Sequence, residues 1–119
     1  MMLFEDLLAW QEARVLVKLI YDLTRNPEIN RDYRFVDQLR STTVSIMNNI
    51  AEGFERHFIK EKIQFYNISR GSYGELRSLL YVIEDSFIYL LKEVNKCRTQ
   101  LEKTGKLVTG LTQSTQKRL

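Results

Sequence analysis

The sequence predicts an all-α protein, one antiparallel up-down-up-down four-helix bundle spanning residues 1–119. Three observations carry that prediction. Apolar residues recur at three- and four-residue spacing along almost the whole chain. Helix breakers are scarce, with one proline and five glycines among 119 residues. No period-2 run of β-branched and aromatic residues is long enough for a sheet.

The first helix is expected over about residues 6–25. Ala9, Ala13, Leu16, Ile20 and Leu23 form one stripe, flanked by Leu8, Val15 and Leu19 on one side and by Trp10, Val17 and Tyr21 on the other. Glu12 is the only charge inside this arc, which is wider than the face of an ordinary surface helix. Burial against a second copy of the chain accounts for the width, and so does a central place in the bundle.

A linker follows at Asn26-Pro27-Glu28-Ile29-Asn30, around the only proline. The second helix is expected over 32–56, with Asp32 as N-cap and Val36, Leu39, Thr43, Ile46, Ile50 and Phe54 as its inner stripe. Beside that stripe Gln38, Ser45, Asn49, Glu52 and Arg56 fall in one sector of about 60°. Buried and mutually satisfied, this polar seam would fix helix register; it could alternatively touch a ligand, or lie in solvent without a role.

The third helix is expected over 58–87, after a break at Arg56-His57-Phe58, with Phe65, Ser69, Ser72, Leu76, Leu80, Ile83 and Phe87 inward. Gly71 interrupts it, at a cost of about 1 kcal/mol relative to alanine, so close approach of another helix is expected there. Glu75 lies on the same flank. The fourth helix is expected over 91–112, with Val94, Cys97, Leu101, Val108 and Leu111 inward, weakened by Gly105 and Gly110. The polar residues from Gln113 onward read as a frayed tail.

The formal net charge of +3 is unevenly placed. Beyond residue 91 stand Lys92, Lys96, Arg98, Lys103, Lys106, Lys117 and Arg118 against only Glu93 and Glu102, whereas the preceding chain is slightly acidic. Lys92, Lys96, Lys103 and Lys106 align on one face of the fourth helix, and Arg70 and Arg77 share a face of the third. Such a stripe suits phosphate contact; on a single copy it equally suits a solvated face, and a symmetric oligomer would repeat it into a larger field.

Other chemistry finds no footing. A di-metal bundle needs Glu-x-x-His pairs, and the single histidine, His57, lacks that spacing. Cys97 sits on the apolar side of its helix, and the same His57 is its only candidate base. Gly71-Ser72-Tyr73-Gly74 lacks the lysine of a phosphate loop and reads as a close-packing patch. No catalytic residue, metal, cofactor, small-molecule substrate or disulfide is expected. Neither a membrane span nor a secretory leader is visible, which points to the cytoplasm.

The run Ser45-Ile46-Met47-Asn48-Asn49-Ile50-Ala51-Glu52-Gly53 resembles the S-I-P-x-N-I-A-E-G signature of the four-helix-bundle family named after the 23S rRNA intervening-sequence proteins. Gly71-Ser72-Tyr73-Gly74-Glu75-Leu76 is similar to its G-S-x-x-E-L motif. Phe4-Glu5-Asp6-Leu7, Trp10-Gln11, Gln38-Leu39-Arg40 and Gly110-Leu111 match in order. Met47 stands where the family commonly has proline, so the second helix is expected to be straighter than in its relatives. The resemblance implies a ring-like homopentamer, a bacterial source and no enzymatic activity. Some relatives are encoded within rRNA genes; others are accessory proteins of diversity-generating retroelements, whose basic barrel binds nucleic acid and the reverse transcriptase.

Two functions are thus expected in competition. One is a non-catalytic oligomer that holds an RNA or DNA backbone, with Lys92, Lys96, Arg98, Lys103 and Lys106 as phosphate contacts, aided by Arg70 and Arg77. The other is a homo-oligomeric protein-interaction scaffold with no nucleic-acid role.

Overall fold

A computed structural model describes residues 1–119, and it is all-helical. A 3₁₀ turn at Phe4–Asp6 precedes α1 (Leu8–Thr24). Then come α2 (Pro27–Asn30), α3 (Tyr33–Glu55) and α4 (Ile59–Ser86), a second 3₁₀ turn at Ile88–Leu90, and α5 (Leu91–Gln116).

Local chemistry sets these boundaries and corrects three of the expected ones. The first helix starts later than residue 6 because Leu7 is extended, while the Asp6 carboxylate accepts the Leu3 amide hydrogen at 2.8 Å. The expected linker at residues 26–30 is instead one helical turn. The Asn26 Oδ1 accepts from the amides of Glu28 and Ile29 at 3.0 and 3.3 Å, and Pro27 occupies the first position, where its missing N–H removes an orphan donor. Fully buried Ile29 anchors the turn to the core. Asp32 caps α3 as expected, accepting from Phe35 at 3.2 Å, and α3 runs unbroken through Met47.

The tail after residue 112 is the third correction, because α5 continues to Gln116. Thr112 and Thr115 are buried and return their hydroxyls to the carbonyls of Val108 and Leu111 at 2.7 and 2.8 Å. Threonines that satisfy themselves on their own helix pass for surface in a sequence, yet pack as core.

Both α1 and α4 pack against α3 and α5. Between them lies one core, in which Ala9, Ala13, Leu16, Ile20 and Leu23, then Val36, Leu39, Ile46 and Ile50, then Leu76, Leu80 and Ile83, and finally Val94, Cys97, Leu101 and Val108 are buried as expected. Phe54, Phe65, Ser72, Phe87 and Leu111, also expected inward, are only half-buried, and Tyr66 rather than its neighbour Phe65 fills the core. Truncating one of these leucines to alanine typically costs about 2–5 kcal/mol, since the cavity closes only partly. On the α3–α4 interface Thr42 meets Glu75, Ser45 meets Ser72 and Ile46 meets Ser69, so residue numbers rise on one helix as they fall on the other. The molecule measures 46 × 23 × 22 Å, its long axis set by helices of more than twenty residues.

Gly71 does not mark a close approach: a methyl group there meets open space, as it does at Gly74. The close approaches are at Gly53, where a side chain would strike Tyr66, and at Gly105, where it would strike the ring of Tyr73. No helix is long and apolar enough to cross a membrane.

Candidate nucleic-acid interface

The cations of α5 divide into three sets once neighbouring helices are in place. Arg98 is engaged internally: its Nη1 donates to Glu84 at 2.6 Å and to Asn95 at 3.0 Å, and its guanidinium lies 4.5 Å over the Tyr81 ring. It is half-buried, with Nη2 unpartnered. Lys103 pairs with Glu12 at 2.7 Å, and Gln100 donates to the same carboxylate at 3.1 Å. The Lys103 hydrogen bond, seconded by that of Gln100, holds the Glu12 carboxyl below its ordinary range. These two residues, expected as phosphate contacts, therefore each hold a carboxylate of a neighbouring helix, Arg98 on α4 and Lys103 on α1, and of the two Lys103 keeps an exposed side chain.

Lys92 and Lys96 are exposed near the start of α5, beside Glu93, Asn95 and Thr99. Lys106 stands about 20 Å further along the axis than Lys92 at 1.5 Å per residue. There it joins Arg70 and Arg77 around a groove of about 550 Å³ between α4 and α5.

The groove follows from helical periodicity. Arg70, Tyr73 and Arg77 are spaced 3 and 4 on α4, and Glu102, Lys106, Thr109 and Gln113 are spaced 4, 3 and 4 on α5, so each set forms one face. Both faces line the same depression. Gly105 and Gly110 deepen it by contributing no side chains, and Gly105 gives the Tyr73 ring its place. Arg70 donates only to Asn67, at 3.3 Å, and Arg77 and Lys106 enter no ion pair. Three cations against the single carboxylate of Glu102 leave the groove a net attractor of anions. Sequence reading found the three cations but missed Tyr73, Glu102 and Gln113, although their three- and four-residue offsets from the basic positions signalled a shared face.

The polar seam is only partly assembled. Asn49 donates to the Ser45 carbonyl and hydroxyl at 2.8 and 3.0 Å, and Ser45 hydrogen-bonds Ser72 at 2.8 Å. The Thr42 hydroxyl donates to Glu75, and buried Ser69 donates to the Ile46 carbonyl at 2.9 Å. Gln38 is exposed and outside this network. Glu52 and Arg56 form a separate surface pair at 2.9 Å, their side chains 54% and 41% exposed, with Arg56 over the Phe65 ring. The expected continuous seam is thus shorter than drawn. Its true cross-helix partners, Thr42, Ser69 and Ser72, lie on or beside the apolar stripes. His57 is exposed at the α3–α4 turn, and burial pushes the Cys97 thiol up to about 11, away from nucleophilic use.

No curated protein matches the chain. Residues 5–110 match the family model described as 23S rRNA-intervening sequence protein.

Proposed function

The chain belongs to the 23S rRNA-intervening sequence protein family, and on that basis we propose that it is a non-catalytic, homo-oligomeric accessory protein that holds a nucleic-acid backbone in its α4–α5 groove. The observation that supports this reading is the convergence of Arg70, Arg77 and Lys106, none held in an ion pair, from two helices onto one depression. Guanidinium and ammonium groups there match phosphate oxygens in charge and hydrogen-bonding sense.

The architecture of this reading is an antiparallel up-down-up-down four-helix bundle, supported by the packing of α1 and α4 on α3 and α5 and by the opposed numbering across α3 and α4. Assembly is supported by α1, where Leu8 and Val15 are exposed beside half-buried Leu19. A closed ring, a pentamer by family resemblance, covers that apolar strip and repeats the basic groove around the assembly. The site of action is the cytoplasm, and nucleic acid associated with rRNA or with a reverse transcriptase is the partner class.

The test is a titration of fluorescently labelled 20-nucleotide RNA by anisotropy at two salt concentrations, with light scattering on the same sample. Three phosphate contacts to a single strand give a log–log salt slope of about −2 per groove, hence a loss of roughly 20-fold between 50 and 200 mM. Binding without salt dependence, or none, contradicts the reading. A monomer at micromolar concentration contradicts the assembly.

The second reading is a homo-oligomeric protein-interaction scaffold with no nucleic-acid role, which the α1 strip supports equally because it speaks to assembly and not to nucleic acid. Its mark is capture of a specific polypeptide that survives nuclease and is indifferent to charge reversal in the groove.

A further inference from the structure

We infer that the α4–α5 groove takes single-stranded nucleic acid and seats one base against Tyr73, with a preference for a base bearing an exocyclic amino group. This rests on the nucleic-acid reading above and sharpens it from backbone contact to a substrate class. The basic residues explain attraction to any polyanion, but they do not explain the other groups gathered with them.

Tyr73 stands three residues after Arg70 and four before Arg77, between the two guanidiniums on the face of α4 that lines the groove. One edge of its ring packs on Gly105 and against the core, which fixes the ring in place, and the remainder of this half-buried side chain lines the depression. Aromatic surface flanked by cations is the arrangement that binds unpaired nucleotides, because a base stacks while the adjacent phosphates are neutralised. A groove of about 550 Å³ lies within the range of small-molecule sites and suits a nucleotide. A duplex is recognised instead across a broad, shallow surface by shape.

Glu102 narrows the class of base to those that carry an exocyclic amine. A carboxylate in an otherwise basic groove opposes phosphate, and is unfavourable if the backbone is the whole ligand. It accepts a hydrogen bond from an exocyclic amine, as carboxylates do from cytosine N4. Gln113, one turn beyond Thr109 on the same face, adds an amide that both donates and accepts. Cytosine therefore fits better than uracil, which offers a carbonyl at that position.

The experiment compares oligo(rC), oligo(rU), duplex RNA and inorganic polyphosphate on the full chain at fixed salt, with ultraviolet cross-linking of oligo(rC) mapped by mass spectrometry. Oligo(rC) is expected to bind at least about 5-fold more tightly than oligo(rU), duplex or polyphosphate and to cross-link at Tyr73. Tyr73→Leu is expected to lower oligo(rC) affinity about 5- to 150-fold, the range for one stacked base, while polyphosphate binding holds. Glu102→Gln is expected to erase the cytosine preference. Equal binding of all four polyanions with no cross-link at Tyr73 overturns this inference but leaves backbone binding standing. Binding of none overturns both. Should Tyr73→Leu fail to fold by circular dichroism, the wild-type cross-link and the oligo(rC)-to-oligo(rU) ratio decide.

Discussion

Gly71 and Gly105 are one residue type in opposite circumstances. At Gly71 an added methyl meets nothing, so Gly71→Ala is expected to stabilise the fold by about 0.5–1 kcal/mol through reduced backbone entropy in the unfolded chain. Gly105→Ala drives a methyl into the Tyr73 ring and is expected to destabilise by about 1–3 kcal/mol, as overpacking does. Urea midpoints at constant m-value check both. The sequence placed a structural glycine at 71 because a helical wheel gives a direction but not the element that covers it. Glu12 carries the clearest titration. Its carboxyl is depressed in the folded state by Lys103 and then Gln100, relative to an ordinary value of 4.5. The stabilisation is therefore full above that value and is lost as pH falls through the lower folded one. Thermal melts from pH 7 to pH 3 are expected to show a smaller acid loss for Glu12→Gln than for the wild type.

Among the helices, α3 and α4 share the most informative interface. Ser69→Ala removes a fully buried hydrogen bond to α3 and is expected to cost about 0.5–1.5 kcal/mol. Glu52→Ala breaks an exposed i, i+4 pair and is expected to cost no more than about 0.5 kcal/mol. Chemical denaturation of the two variants measures the contrast, and equal losses would mean that the exposed end of the seam also holds the helices together. The inner stripes of all four long helices were legible in the sequence because burial of leucine, isoleucine and valine leaves a 3.6-residue rhythm. Residues 26–30 and 113–116 were not, since proline and polar residues mark both helix ends and loops until their caps and partners are known. Deleting the chain after Thr112 is expected to lower the melting temperature, because buried Thr115 and the last turn of α5 go with it. An unchanged melting temperature would show that turn to be dispensable.

On the scale of the whole molecule, charge pattern alone named the cations without showing which of them share a groove. Lys92, Lys96, Lys103 and Lys106 align along α5, yet Lys103 is held by Glu12 of α1 and Arg98 by Glu84 of α4. Only packing shows that Lys106 looks across to Arg70 and Arg77, with Tyr73 between them. The candidate site was legible as a set of basic residues and illegible as a groove, because a groove belongs to two helices at once. The most direct measurement is RNA affinity at low salt for Arg70→Glu/Arg77→Glu/Lys106→Glu beside Lys92→Glu/Lys96→Glu, both confirmed helical. A groove centred on Arg70, Arg77 and Lys106 predicts that the triple variant loses binding by more than about 100-fold while the double variant stays within about 10-fold of wild type. A triple variant that binds like wild type, or a double variant that loses more, contradicts it.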